Sequence, residues 1–341
     1  MNDAITPQTI MQVASGFGVS KALLTAVGLG LYTSLARGPM TLDEICDEFG
    51  LIPRRAMDLL DILVSVNLLA RDGDGPEARY RNTAETGAFL VRDTPGYVGG
   101  IIELWEHRNF GFWAGLTEAC QSGAPQSEAK HGTSFFETLY AEPDRLEAFM
   151  SAMTGSSVRN FEALAQAFPF DRYETLVDIG GADALLARRV AAAHPHLTCL
   201  SLDLPEVTEI AARKIAEEGL DDRVTAVTGD FFADPLPKAD VITMGMILHD
   251  WDLERKKTLV AKAYDALPDG GAFIVIEALI DDARRENTFG LFISLNMLIE
   301  FGDTAFDFTG AEFKDWCREA GFRRFDVLPL AGPSSAGIAY K

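Results

Sequence analysis

The chain has 341 residues, of which 48% are apolar, a length and composition typical of a soluble protein with two packed domains and a sizeable core. Its formal net charge is −21 at pH 7, and such an excess of acid repels phosphate backbones and anionic membranes. The composition therefore argues against nucleic-acid and membrane binding and favours a small-molecule function, although a saline habitat would also produce an acidic surface.

The cysteines and the N-terminus indicate a reducing compartment. Cys46, Cys120, Cys199 and Cys317 are widely scattered and form no CxxC pair, so we expect reduced thiols and no metal site. The first residues lack the basic and apolar blocks of a signal peptide, and no unbroken apolar run reaches the ~18 to 20 residues of a membrane span. We therefore expect a cytoplasmic protein.

The N-terminal region is predicted to be helical and dimeric. Apolar residues recur at mixed three- and four-residue spacings from Gln8 to Leu35, which predicts one or two helices that are apolar on more than one face. Thr41 is placed as the N-cap of a helix that Gly50 ends. A second helix over 54–66 and two strand-like pieces around a Gly-rich turn complete a winged helix-turn-helix pattern.

This winged-helix pattern is more consistent with a dimerisation domain than with DNA binding. Between Asp43 and Asp93 the chain has six basic and eleven acidic side chains, a net charge of −5. A recognition helix that carries Asp58 and Asp61 is poorly suited to a phosphate backbone. We expect residues 1–100 to form a structural domain through which the chain makes a homodimer.

A helical connector is predicted for residues 101–168. Helices are expected over 101–106, 112–120, 134–139 and 145–168, with a polar loop over 121–130. Its aromatic cluster is consistent either with ordinary core packing or with a substrate pocket. The candidate substrate-binding residues, here and farther along the chain, are His107, Arg108, Phe110, Trp113, Met150, Met153, Asn296 and Met297.

From residue 169 to the end, the chain alternates between strand and helix patterns. Strands are predicted over 175–179, 197–202, 224–228, 241–248 and 272–278, and helices over 185–193, 205–217 and 253–266. This alternation predicts a doubly wound, mostly parallel α/β sheet of the Rossmann type.

Three successive strand ends carry residues suited to adenosine. Gly180 and Gly181 let a ligand approach the backbone, Asp203 can accept from both hydroxyls of a ribose, and Asp230 with Phe231 suits an adenine. Each acid also has a structural interpretation, as a helix N-cap or a turn residue. The chain lacks G-x-G-x-x-G after the first strand, which argues against a nicotinamide dinucleotide.

The run Val241–Leu248 delivers His249, Asp250 and Trp251 at the sheet edge where ligands bind in such folds. A histidine there can take a proton near neutral pH. The alternative is a buried, hydrogen-bonded structural histidine.

Taken in order, these motifs resemble the S-adenosylmethionine-dependent small-molecule O-methyltransferases, which include plant caffeate, acetylserotonin and bacterial antibiotic-tailoring enzymes. The motifs are Asp178-Ile-Gly-Gly, Leu202-Asp-Leu-Pro, Gly229-Asp-Phe-Phe, Leu248-His-Asp-Trp, Leu267-Pro-Asp-Gly-Gly and Ala320-Gly-Phe. The resemblance implies a class I methyltransferase sheet, an interlocked homodimer, S-adenosylmethionine as cofactor and a small-molecule methyl acceptor.

The resemblance also assigns roles to individual residues. It places the cofactor at Asp178, Gly180, Gly181, Asp203, Asp230, Phe231 and Gly245, the general base at His249, and flanking carboxylates at Glu277 and Asp307. The chain departs from the family pattern at the glycine turn, where Ala182 and Ala184 replace glycines around Asp183. Gly245 stands where plant members have a lysine, and 302–307 lacks the usual Gly-Gly and Arg.

Other functions remain open at this level. A thiol acceptor needs no base, so S-methylation of a small thiol or thio-acid is an alternative, with Arg108 or Arg159 as an anchor for a substrate carboxylate. The altered glycine turn also allows a protein that binds the cofactor without transferring its methyl group, or that lacks cofactor binding. A DNA-binding regulator is a further alternative.

Overall fold

The computed structural model describes residues 5–132, 139 and 143–341. The described residues form two compact units. One comprises the described parts of Met1–Gly111 with Ser151–Ser156, and the other those of Phe112–Met150 with Ser157–Lys341. The connector predicted over 101–168 is thus divided between the two units.

The first unit is helical with a small sheet. Its helices are α1 (Gln8–Leu29), α2 (Leu31–Leu35), α3 (Leu42–Phe49), α4 (Pro53–Ser65), α5 (Ala84–Phe89) and α6 (Gly99–Leu104). Thr41 and Glu44 form a capping box at the start of α3. Strands β1 (Met40–Thr41), β3 (Arg79–Arg81) and β2 (Ala70–Asp72) pair antiparallel in that order. The winged helix-turn-helix pattern is therefore present.

Helix α1 carries an exposed apolar surface in the isolated chain. Its exposed apolar side chains, between 61% and 75% accessible, are Ile10, Met11, Val13 and Phe17. By length and mean hydropathy α1 would also be able to cross a membrane, a weak criterion that signal sequences and core helices also meet. Sequence patterning predicted no membrane span, because no apolar run is unbroken over ~18 to 20 residues, and it therefore did not identify α1 as a candidate.

The segment between the small sheet and the large one is helical, with irregular turns. A π-helical turn, Trp105–Asn109, leads into α7 (Phe110–Phe112), a 3-10 turn (Trp113–Gly115), α8 (Leu116–Ser122) and, later, α9 (Pro143–Ala167). The loop predicted over 121–130 is wrong at both ends, because α8 extends to Ser122 and a 3-10 turn, Glu128–His131, follows. The helix predicted over 134–139 lies outside the described residues except for Leu139.

The second unit is built on a seven-stranded sheet. Its strands are β4 (Thr175–Ile179), β5 (Thr198–Asp203), β6 (Val224–Thr228), β7 (Val241–Gly245), β8 (Ala272–Glu277), β9 (Arg324–Pro329) and β10 (Ser335–Tyr340). The order is β6-β5-β4-β7-β8-β10-β9, parallel through β8 and antiparallel for the last two strands. Sequence patterning predicted the parallel strands but missed β9 and β10.

Helices cover both faces of this sheet. They are α10 (Leu185–Ala193), α11 (Pro205–Glu217), α12 (Leu253–Ala266), α13 (Thr288–Phe301) and α14 (Gly310–Ala320). The central strands are buried on both faces, between two separate apolar clusters. The chain passes from β4 outward to β6 and then returns to β7 on the other side of β4. In open α/β sheets the crevice that binds ligands lies at such a switch in strand order, which here is at the carboxyl ends of β4 and β7.

Candidate active site

The turn after β4 brings the backbone to the open edge of the sheet. Gly180 has a φ of +67°, and a Cβ there would lie 2.4 Å from Ile247 Cδ1. A Cβ at Gly181 would lie 2.2 Å from Ser201 Oγ. A Cβ at either position would have to displace a neighbouring side chain, and at Gly180 the positive φ also favours glycine.

Two predicted acids of the cofactor site are held by this turn. Asp203 accepts a hydrogen bond from the Ala182 amide at 2.9 Å, so its carboxylate lies directly beside the glycine turn. Asp178 is 3% exposed and accepts from the Thr243 hydroxyl at 2.7 Å. Burial raises the pKa of Asp178 to about 7 and that of Asp203 to about 6.

The altered part of the turn keeps glycine-like backbone despite its side chains. Ala182 and Ala184 have φ values of +50° and +62°, in the left-handed region that alanine adopts only at a cost. Between them, Asp183 is buried and contacts Arg188 Nη2 at 3.1 Å through Oδ2. The added carboxylate is therefore neutralised within the protein, by a cation one helical turn away.

The loop after β6 supplies the third part of this edge. The Phe231 ring approaches Gly180, its Cε1 lying 3.8 Å from the position of a Cβ there. Asp230 accepts from the Phe232 amide at 2.8 Å through Oδ1, which fixes the turn. Gly245 ends β7, and a Cβ there would lie 3.2 Å from a ring carbon of Phe161. Phe161 thus packs directly against the position at which plant members have a lysine.

His249 lies at the centre of a buried acid cluster, which we define as His249, Asp250, Glu277 and Asp307. Its Nδ1 is 3.1 Å from Glu277 Oε2 and 3.4 Å from Asp307 Oδ1. Its Nε2 is 3.4 Å from Asp250 Oδ1. The imidazole is 5% exposed, and Glu277 and Asp307 are 2% exposed each. The structure thus brings together the predicted base and both predicted flanking carboxylates.

The electrostatics of this acid cluster favour a charged imidazole. Burial alone would lower the pKa of His249, but Glu277, Asp250 and Asp307 outweigh it and raise that pKa well above its usual range. Burial raises the pKa of Asp250 to about 7. Behind the cluster Lys256, fully buried, donates to the Trp251 carbonyl and lies 3.5 Å above the centre of the Phe306 ring.

The same cluster has a geometry that would accept a cation. Ligand atoms of His249, Glu277 and Asp307 all lie within 4.8 Å of one another. An ion there would be bound through Nδ1, since both carboxylates face that nitrogen. The sequence-based expectation of no metal therefore needs a direct test.

The candidate substrate residues fall into both compact units. Trp113 stacks on Phe292, with ring centres 5.1 Å apart, and donates from Nε1 to Asn296 Oδ1 at 3.2 Å. Asn296 and Met297 are buried on α13, whose Ser294 accepts from the Asp307 amide. Met150, also in the second unit, packs in an apolar cluster that Ala182 borders.

The remaining candidates belong to the first unit. His107 and Arg108 lie in the π-helical turn, and Lys21 Nζ lies 4.8 Å from the centre of the Phe110 ring. Met153 lies on the part of α9 that packs within this unit. The structure therefore places Asn296 and Met297 on the helix that borders the acid cluster and packs Trp113 against that helix.

Several residues at this edge were not selected from the sequence. Asp250, Ile247 and Phe292 contact the predicted base, glycine turn and aromatic ring respectively. The sequence motif named Asp250 beside His249 but assigned it no role, and Ile247, two residues before His249, belongs to the same run. Phe292 has no local signal, because only the packing of α13 brings it to Trp113.

Comparison with protein families identifies both parts of the chain. Residues 113–323 match the model of an O-methyltransferase domain, and residues 11–92 match an O-methyltransferase dimerisation domain. The second match agrees with the dimerising role expected for the winged-helix region.

Individual relatives extend over nearly the whole chain. The 8-O-methyl transferase TcmO of tetracenomycin polyketide synthesis from Streptomyces glaucescens is 39% identical, covering 98% of this chain and 97% of its own. The N,N-dimethyltransferase OxyT of Streptomyces rimosus is 37% identical, covering 93% and 90%. Human N-acetylserotonin methyltransferase, solved in complex with SAM, superposes with a TM-score of 0.89 at 27% identity, covering 100% and 99%. With these matches along both units, the chain belongs to the O-methyltransferase family.

Proposed function

We propose that this chain transfers the methyl group of S-adenosylmethionine to a hydroxyl of a small aromatic molecule, with His249 as general base. The observation that carries the proposal is the position of His249. It lies at the carboxyl edge of β7 and is buried between Glu277 and Asp307. The glycine turn that borders the same crevice ends the neighbouring strand β4.

The residues of the crevice fit the cofactor. Gly180 and Gly181 leave a cradle that a Cβ would fill, and Asp203 offers a carboxylate beside it to hold the ribose. Phe231 covers Gly180 and would face the adenine. When bound, S-adenosylmethionine supplies an electrophilic methyl group on a sulfonium.

The base function follows from the two imidazole nitrogens. Glu277 and Asp307 lie 3.1 and 3.4 Å from Nδ1. A proton carried on Nδ1 would leave Nε2 as the nitrogen that accepts the proton of the acceptor hydroxyl. The positive imidazolium is then stabilised by the surrounding carboxylates. Transfer of the methyl group from the bound cofactor to the acceptor oxygen would leave S-adenosylhomocysteine as the second product.

A fused-ring phenol is the acceptor class that we favour. Trp113 stacks on Phe292 of α13, and this helix borders the acid cluster through Ser294 and Asp307. Flat aromatic ligands stack well on such surfaces. Relatives act on comparable rings, TcmO in tetracenomycin synthesis and a naphthoate 3-O-methyltransferase at 32% identity.

An amine acceptor is a second candidate, because OxyT, at 37% identity, is named an N,N-dimethyltransferase. A neutral amine attacks without prior loss of a proton, and a thiol is partly ionised near neutral pH. Neither acceptor therefore requires the base that a hydroxyl needs.

The test combines binding and turnover. We expect calorimetry to detect S-adenosylhomocysteine binding and mass spectrometry to detect a methyl ether on a hydroxynaphthoate incubated with S-adenosylmethionine. Aminonaphthoates and small thiols form the comparison set. Absence of S-adenosylhomocysteine binding would overturn the proposal, whereas methylation only of amines or thiols would replace the acceptor class and the base.

We propose that the reaction needs no metal. Turnover is expected to be unchanged in a chelator and after addition of Mg²⁺ or Zn²⁺. Loss of turnover in the chelator that one of these ions restores would instead assign the atoms around His249 Nδ1 to metal binding.

We also propose a cytoplasmic homodimer formed through the N-terminal unit. Of the exposed apolar side chains of α1, Met11, Val13 and Phe17 lie within the segment that matches the dimerisation domain, and burial against a second copy would remove them from water. Light scattering is expected to report twice the 37.1 kDa chain mass. A monomer, or partition of the protein into the membrane fraction, would contradict this proposal.

A further inference from the structure

The loop after β6, residues 230–234, pairs several of its amides and one of its carbonyls within itself. Asp230 Oδ1 accepts from the amides of Phe232 and Ala233 at 2.8 and 3.3 Å. Asp234 Oδ2 accepts from the Asp230 amide at 2.9 Å. The Asp234 amide also donates to the Asp230 carbonyl at 2.8 Å. The carbonyl oxygens of Phe231, Phe232 and Asp234 still require donors from outside the loop.

Lys262 supplies those donors. From the third turn of α12 its Nζ donates to the carbonyl oxygens of Phe231 at 2.6 Å, Phe232 at 2.9 Å and Asp234 at 2.6 Å. An ammonium group has three donor hydrogens, and all three are used here. Hydrogen bonds from a charged donor are stronger than neutral ones, so this contact fixes the loop backbone.

The backbone that Lys262 holds carries the ring nearest the glycine turn. Phe231 approaches Gly180 with a ring carbon 3.8 Å from the position of a Cβ there, and packs at 81° against Trp251, with centres 6.1 Å apart. A displacement of the Phe231 carbonyl would move both this ring and the adjacent Asp230. Trp251 also lies directly before α12, so the helix links the loop to the His249 turn.

We propose that Lys262 is a positioning residue for the adenosine half of the cofactor, an inference that rests on the proposed function. It acts through Phe231 and Asp230, touching neither the reacting atoms nor the acid cluster. Its loss should weaken cofactor binding while leaving the chemical step unchanged once the site is saturated.

The test is K262M, which keeps the aliphatic stem and removes the ammonium. We expect the Kd for S-adenosylhomocysteine to rise about tenfold, the Kd for adenosine to rise by the same factor, and kcat at saturating S-adenosylmethionine to stay within about twofold. The matched control is K257M on the same helix, where the lysine pairs only with the exposed Glu319; its affinities should equal those of the wild type.

An unchanged Kd in folded K262M would overturn the inference, as would a loss confined to S-adenosylhomocysteine with adenosine unaffected. K262R, which retains charged donors, should restore the Kd to within about threefold of the wild type. If K262M does not fold, K262R takes its place in the test. A folded K262R that binds S-adenosylhomocysteine about tenfold more weakly than the wild type would count against the inference. Wild-type protein that binds no S-adenosylhomocysteine would instead refute the proposed function.

Discussion

The glycine turn and the acid cluster lie at the same edge of one sheet, but they are built in different ways. The turn depends on backbone conformation and missing side chains, since Gly180 has no room for a Cβ. The acid cluster depends on charged side chains that burial forces to interact, with His249 facing three carboxylates. The glycine turn thus depends on the space that missing side chains leave, and the acid cluster depends on the interaction of buried charges.

This difference separates two kinds of expected effect. A substitution at the glycines of the turn should change cofactor affinity, because it alters the cradle but none of the groups that move a proton. A substitution in the acid cluster should change rate and pH dependence with little effect on affinity. For each variant, both the affinity for S-adenosylhomocysteine and the rate of turnover are measured.

The largest expected effect is that of His249→Ala. Removing a general base typically costs about 10²- to 10⁴-fold in rate, so kcat for a hydroxynaphthoate should fall by that amount. Calorimetry should find S-adenosylhomocysteine affinity within about twofold of the wild type. His131→Ala, at an exposed position, is the control, and retained turnover in His249→Ala would show that the acceptor needs no base at this position.

Gly180→Ala should act on affinity instead. The added Cβ would overlap Ile247 Cδ1 at 2.4 Å, and overpacking of about 2 kcal/mol corresponds to roughly thirtyfold weaker S-adenosylhomocysteine binding. Gly219→Ala is a matched control, because Gly219 has a φ of +65° but a Cβ there meets nothing within 4 Å. Equal losses of affinity in both variants would mean that backbone strain, and not space, explains the effect.

Glu277→Gln should change the pH profile. Glu277 raises the pKa of His249, and only the neutral imidazole accepts a proton, so the wild-type rate should rise with pH to a midpoint above the usual range for histidine. Without that carboxylate the pKa falls, and the midpoint of kcat/KM moves to lower pH. We expect kcat at the optimum to fall about tenfold, less than in His249→Ala because Asp307 still faces Nδ1. Glu319→Gln, at an exposed position, is the control. A midpoint of kcat/KM in Glu277→Gln that stays constant or rises would contradict this role.

The smallest effect on binding is expected for Asp183→Asn. Its carboxylate pairs with Arg188, so S-adenosylhomocysteine affinity should stay within about threefold of the wild type. Thermal melting should instead detect a loss of about 2 kcal/mol, limited because Arg188 keeps its ion pair with Glu218. A large change in affinity would mean that Asp183 faces the cofactor. The control is Asp222→Asn, at an exposed position, which should change neither the affinity nor the thermal stability.

Sequence patterning predicted the parallel part of the sheet well, because the inner strands β4, β7 and β8 are largely apolar and buried and the partly exposed edge strand β6 is rich in β-branched residues. The β4 and β6 segments agree residue by residue with the prediction. The strand predicted over 241–248 is three residues too long, since Met246 adopts a φ of +57° and the chain turns into a 3-10 turn, Leu248–Asp250. Strand β9 was missed because its residues are mostly exposed or half-buried and carry no apolar run.

For the candidate site, as for the sheet, the sequence predicted some features and left others open. The sequence identified the strand-end residues, because the carboxyl ends of parallel strands meet at one edge. It did not specify what each side chain contacts. The sequence left open whether Asp183 would face a ligand. In the structure its carboxylate contacts Arg188.

Local order along the chain therefore determined the fold class, the family motifs and the candidate base, because periodicity and strand-end residues are properties of short segments. Only tertiary structure decided which nitrogen of His249 faces Glu277 and Asp307, and that Lys262 holds the loop of Phe231. These contacts join residues between 28 and 58 positions apart. Their geometry comes from the packing of separate strands and helices, which no local pattern encodes.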